Sequence, residues 1–106
     1  MHKLMFTAQA QDDLKAIARY LTESTSDRAF GARFTKQLRM RCRQLATRPQ
    51  VMGRRRPELA EGLRSVAEND YMIFFRYLGD VFEVVRIVER HRDMAALFTV
   101  DREQEN

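Results

Sequence analysis

Six arginines and one histidine in this 106-residue chain have the types and spacing that could do chemistry. Arg54, Arg55 and Arg56 form a run; Arg64, Arg86 and Arg92 follow, with His91 beside the last. Metal-free cleavage of RNA needs a base for the 2′-hydroxyl, cations for the charged phosphorane and an acid for the leaving oxygen. The cations are present. A nuclease reading would use Arg64, Arg86, His91 and Arg92, with His91 as the base. A lone histidine among arginines is more often a surface or structural residue than a base. There is no phosphate-binding glycine loop, dinucleotide fingerprint, zinc-protease motif or nucleophile elbow. Two histidines and one cysteine without ligand spacing argue against a structural zinc site. Neither a metal nor a cofactor is expected.

The charge distribution supplies a second theme. The net charge is +4, but residues 28–57 hold ten Lys or Arg and no acid, whereas residues 58–106 hold six basic and eleven acidic residues. A basic block of this kind is a solvated helix face, a surface for a phosphate backbone, or a surface for an acidic protein. No apolar run approaches the roughly 18 residues of a membrane span. The N-terminus MHKLMFTAQAQDD lacks the apolar core of a secretory signal, and the single Cys42 has no internal partner. A cytoplasmic, reducing compartment and no membrane association are expected.

These residues need elements to position them. Residues 2–6 alternate and read as a strand. Thr7 is a candidate N-cap, and Ala10, Leu14, Ile17, Ala18 and Leu21 follow at helical spacing. The polar TESTSD segment turns the chain, with a second N-cap at Ser26 or Asp27. Phe30, Phe34, Leu38, Cys42 and Leu45 mark a second helix that Pro49 ends; Arg33, Lys36, Arg39, Arg41 and Arg43 lie on its other faces. Residues 48–62 read as a basic linker. The period then becomes two, and strands are predicted at about 63–68, 71–78 and 81–88, joined by Asn69-Asp70 and Gly79-Asp80 turns. Residues 92–98 predict a short C-terminal helix. The chain therefore reads as one α+β domain over 1–106: an N-terminal strand, an antiparallel helical hairpin, a three-stranded antiparallel meander and the short helix. The tail, 99–106, is expected to be disordered.

Two-residue turns set the register: Leu78 opposite Val81, Arg76 opposite Glu83, Glu68 opposite Tyr71, Arg64 opposite Phe75. One face then carries Leu63, Ala67, Met72, Phe74, Leu78, Val81, Val85 and Ile87, and the helical hairpin is expected to cover it. The other carries Arg64, Val66, Tyr71, Ile73, Phe75, Tyr77, Phe82, Val84 and Arg86. Arginine and tyrosine are enriched at interfaces, so this second face reads as open and completed by a partner. If the register slips by one, these arginines merely snorkel to an edge.

Several ordered motifs carry a family resemblance. They are Thr7, Ala10, Asp13-Leu14, Ile17 and Tyr20; Pro49, Gly53, Arg56-Pro57-Glu58-Leu59 and Gly62-Leu63-Arg64-Ser65; Tyr71, Ile73, Phe75 and Arg76; Val85-Arg86-Ile87, Arg92-Asp93 and Ala96-Leu97-Phe98. Together, over about residues 4–98, they resemble the RelE/ParE toxin superfamily of type II toxin–antitoxin systems, and more closely its ParE branch. The resemblance implies a gyrase-binding toxin without enzymatic activity, neutralised by a cognate antitoxin in a hetero-oligomer of 2:2 or higher stoichiometry that contacts DNA through the antitoxin. The antitoxin is expected on Arg64, Tyr71, Ile73, Phe75, Tyr77 and Arg86, with Phe34 and Arg39 of the second helix. The target is expected on Arg54, Arg55, Arg56 and Arg92. The alternative is a RelE-like ribosome-dependent nuclease. Against it, Leu97-Phe98 stand where those enzymes commonly carry tyrosine or histidine. Many ParE sequences have histidine and glycine where this chain has Glu89-Arg90-His91. A copy that retains only binding is a third reading.

Overall fold

A computed structural model describes residues 2–98. The elements are β1 (Lys3–Phe6), α1 (Ala8–Thr25), α2 (Arg28–Thr47), β2 (Arg54–Arg55), β3 (Arg64–Glu68), β4 (Tyr71–Leu78) and β5 (Val81–Glu89). A short C-terminal helix covers 94–98. The expectation of a disordered tail at 99–106 lies outside the described residues.

The helix boundaries follow from local chemistry. The Thr7 side chain accepts the Ala10 amide at 3.0 Å and donates to the Val85 carbonyl at 2.7 Å, so one hydroxyl caps α1 and ties it to β5. Ser26 ends α1 in the left-handed region, at φ 54°. Asp27 caps α2 by accepting the Phe30 amide. Gly31 lets the helices close tightly, because a Cβ there would meet the Ala18 carbonyl oxygen at 2.7 Å.

The five strands form one mixed sheet in the order β1-β5-β4-β3-β2, with β1 parallel to β5 and the other pairs antiparallel. The turn-derived register holds: Leu78 pairs with Val81, Arg76 with Glu83, Glu68 with Tyr71 and Arg64 with Phe75. Arg76 and Glu83 form a cross-strand ion pair at 2.7 Å.

Two expectations are corrected. The helical hairpin covers the second face. Ala10, Leu14, Ile17, Leu38, Cys42 and Leu45 pack on Tyr71, Ile73, Phe75, Phe82, Val84 and Ile87 in the main core. That face is therefore closed by the chain's own helices, and Ile73 and Phe75 have no exposed surface. Ile87 joins it through a β-bulge: Phe74 pairs with Arg86 but Phe75 with Val84, leaving Val85 unpaired and reversing the alternation beyond it. The face expected to lie under the helices instead holds a smaller cluster, in which Leu59, Leu63, Phe74 and Val88 meet Phe98 from the C-terminal helix. The second correction is local: part of the basic linker is a strand, with Arg54 opposite Ser65 and Arg55 opposite Arg64.

Candidate interaction surfaces

The arginines that sequence suggests as a catalytic or binding set are held apart. Arg64 on β3 latches the linker, donating from Nε to the Met52 carbonyl at 2.8 Å and from Nη2 to the Gly53 carbonyl at 3.1 Å. Gly53 sits at φ +82°, and a Cβ there would meet the Phe75 ring at 2.6 Å. The Tyr77 hydroxyl accepts the Met52 amide at 2.9 Å, while its ring packs against His2, Phe75 and Phe82. Arg64 and Tyr77 thus seat residues 52–53 over one end of the core.

Arg86 is committed elsewhere. Its Nε and Nη2 donate to the two carboxylate oxygens of Asp13 at 2.9 and 3.1 Å, and the Ile87 amide donates to the same Asp13 Oδ2 at 2.9 Å. Both side chains are 14% exposed. The bulge that moves Ile87 into the core also turns its amide toward α1, where Asp13 receives it. Sequence reasoning named Asp13 only as part of the first-helix family motif. The signal it missed is an acid beside the apolar stripe of α1, with a single arginine in the apolar β5 to answer it.

Arg56 donates to Glu58 at 2.8 Å and to the buried Ser65 hydroxyl at 3.2 Å, and its guanidinium lies 5.7 Å from the Phe74 ring centre. Its bond to Glu58 holds that carboxyl below the usual carboxylate range. Arg54 and Arg55 are exposed on the edge strand, and His91 and Arg92 are exposed beyond β5. Strands β3 and β4 separate β2 from β5, a lateral gap of about 14 Å at ~4.8 Å per strand. The structure therefore gathers neither Arg64 with Arg86 nor Arg54–Arg55 with Arg92 at one point. No cluster of His, Cys, Asp or Glu suited to a metal occurs among the described residues.

An apolar strip does come together at the other end of the helical layer. Tyr20 is 57% exposed and lines a cleft of about 180 Å³ with Ile17, Tyr71, Ile87, Val88 and Arg92. Tyr71 packs on Phe34 at 5.6 Å between ring centres, and Phe34 lies 6.3 Å from the exposed Phe30. Burial, helped by the Glu89 charge, raises the Tyr71 phenol above its ordinary pKa, so it stays a neutral donor at the cleft wall. Of the residues assigned to a partner from sequence, Phe34 and Tyr71 belong to this strip. Arg39 is exposed on α2 but turns toward β1, over the Phe6 ring at 5.8 Å.

Among the described residues, a single mixed sheet with a helical hairpin on one face holds the candidate arginines apart and forms an aromatic cleft at one end of the hairpin. A family model described as "ParE toxin of type II toxin-antitoxin system, parDE" matches residues 4–94, and the chain belongs to that family. Among solved structures it is similar to a chain of the chromosomal ParDE toxin–antitoxin system from P. aeruginosa, at 20% identity and a TM-score of 0.73 over 84% of this chain and 96% of that one. No curated protein matches it. No helix of the described residues is long and apolar enough to cross a membrane.

Proposed function

We propose that this ParE-type toxin acts in the cytoplasm by binding DNA gyrase and stopping its cycle, and that a cognate antitoxin neutralises it by covering the aromatic strip. The observation that carries the antitoxin part is the aromatic line Tyr20–Tyr71–Phe34–Phe30, exposed at its two ends, Tyr20 and Phe30, with the buried Tyr71 forming the cleft wall between them. Apolar anchors with Arg92 at the rim suit an amphipathic segment that carries an acid, whose apolar side chains fill the cleft while its carboxylate meets Arg92. DNA is then reached through the antitoxin in the hetero-oligomer. The gyrase part rests on family membership, with Arg54, Arg55 and Arg92 as exposed cations available to a target. Arg64, Arg86 and Arg56 are each held by neighbours within the chain, which supports a binding role over a catalytic one.

The test is a supercoiling assay with purified gyrase. The chain is expected to inhibit supercoiling in proportion to its concentration, and equimolar antitoxin to restore it. Unchanged supercoiling, together with messenger RNA cut at ribosome-positioned codons, would replace this reading with the nuclease one.

A further inference from the structure

The basic block of 28–57 is only partly absorbed by that reading. The buried residues of α2 are Gly31, Thr35, Leu38, Cys42, Leu45 and Ala46. At 100° per residue, Arg33, Lys36, Met40 and Arg43 fall on the opposite stripe, and all four are exposed. Among the described residues Arg33, Lys36 and Arg43 have no ion-pair partner; the α2 cation that does is Arg41, bound to Glu68 at 3.1 Å on a flank. The aromatic strip lies on that same flank, because Phe30 and Phe34 turn toward Tyr71. An antitoxin segment seated there leaves the outward stripe free.

We propose that this outward stripe of α2 is a binding surface for the phosphate backbone of a nucleic acid, contacted directly by the toxin. Three features favour a polyanion over an acidic protein. The cations are spread along about 15 Å of helix axis, at ~1.5 Å per residue, so they address a line of charges and not a point. The stripe holds Met40 as its one large apolar side chain, whereas protein interfaces are built around an apolar core that excludes water. No acid occurs in residues 28–57 to neutralise it from within. Arg28 extends the positive field toward α1, where it lines a groove with Arg19 and with Glu23, the acid that bounds the stripe on that side. Contacts of this kind carry no base readout; they add affinity that falls steeply with salt.

The test measures binding of the full chain to a fluorescent 20-base-pair DNA duplex, and to an RNA duplex of the same length, across a salt series. The triple variant R33Q/K36Q/R43Q is compared with K3Q/R76Q/R90Q, which removes the same charge from β1, β4 and the loop after β5. The outward-stripe variant is expected to bind at least about tenfold more weakly at low salt. Its slope of log affinity against log salt should shrink by about 2–3, near 0.9 per lost phosphate contact on DNA. The control variant should keep the slope, and the tighter duplex identifies the natural polyanion. Equal loss in both triple variants would reduce the effect to net charge and overturn the proposal. So would unchanged duplex binding with lost antitoxin binding in R33Q/K36Q/R43Q, which would assign the stripe to an acidic protein. Circular dichroism melting of each variant establishes that it is folded. The outcome is independent of gyrase inhibition, so the two readings stand or fall separately.

Discussion

The carboxylate of Asp13 accepts from two guanidinium nitrogens of Arg86 and from the Ile87 amide, and its removal would take three hydrogen bonds out of a mostly buried site. Asp13→Ala is expected to cost about 3 kcal/mol, the scale for breaking one side of a buried pair. Arg76→Ala, which breaks the half-exposed pair with Glu83, should cost under about 1 kcal/mol. Urea unfolding of the two variants measures the difference, and equal losses would show that the Asp13 cluster is not a structural clamp. Cys42 gives a pH prediction. Burial between the helices and sheet pushes its thiol up from 9.0 to about 12. The folded state thus prefers the neutral thiol, and this preference is harmless below pH 9. Above it the unfolded chain ionises first, so stability is lost progressively between pH 9 and 12. Cys42→Ala should flatten that alkaline slope, and the native thiol should resist alkylating reagents at pH 8. Rapid modification without unfolding would contradict the burial argument.

At the scale of elements, what was legible is what local chemistry controls. Thr7, Asp27 and the Asn69-Asp70 and Gly79-Asp80 turns carry their own signals, and they delimited both helices and fixed the register of three strands. The choice of covered face was not legible, because both sides of the sheet are apolar and nothing local says which one the hairpin will meet. Aromatic weight is the clue in hindsight: Tyr71, Phe75, Tyr77 and Phe82 all lie on the helix side. The bulge at Val85 was also hidden. It answers to Asp13 and Thr7 more than seventy residues away, and a period-two reading has no term for an inserted residue. β2 escaped because its two residues, Arg54 and Arg55, show no alternation; their strand geometry is imposed by pairing with β3. The Arg64 latch yields a prediction at this scale. Gly53→Ala combines a left-handed φ with contacts of 2.6 Å to the Phe75 ring and 2.9 Å to the Ser65 carbonyl oxygen. It is expected to cost at least about 1–3 kcal/mol and to release residues 52–55. Faster amide exchange at Met52, whose N–H binds Tyr77, is the readout; unchanged exchange would mean that the latch does not hold the linker.

At the scale of the molecule, the chain separates its surfaces. Aromatic side chains open at one end of the hairpin, unpaired cations line the outward side of α2, and Arg54 and Arg55 occupy the sheet edge. Such separation allows neutralisation and target binding to rest on largely different residues, with Arg92 available to both. Tyr20→Ala is expected to weaken antitoxin binding by about 2 kcal/mol, the size of an interface anchor, with little loss of stability because Tyr20 is exposed. Calorimetry with the purified antitoxin checks this, and an unchanged affinity would remove the cleft from the interface. The central claim is that the chain is a toxin acting on replication, and the most direct measurement is pulse labelling of growing cells after its induction without antitoxin. Thymidine incorporation is predicted to fall within minutes, while amino-acid incorporation continues and then declines. Amino-acid incorporation falling first, with replication intact, would contradict the account.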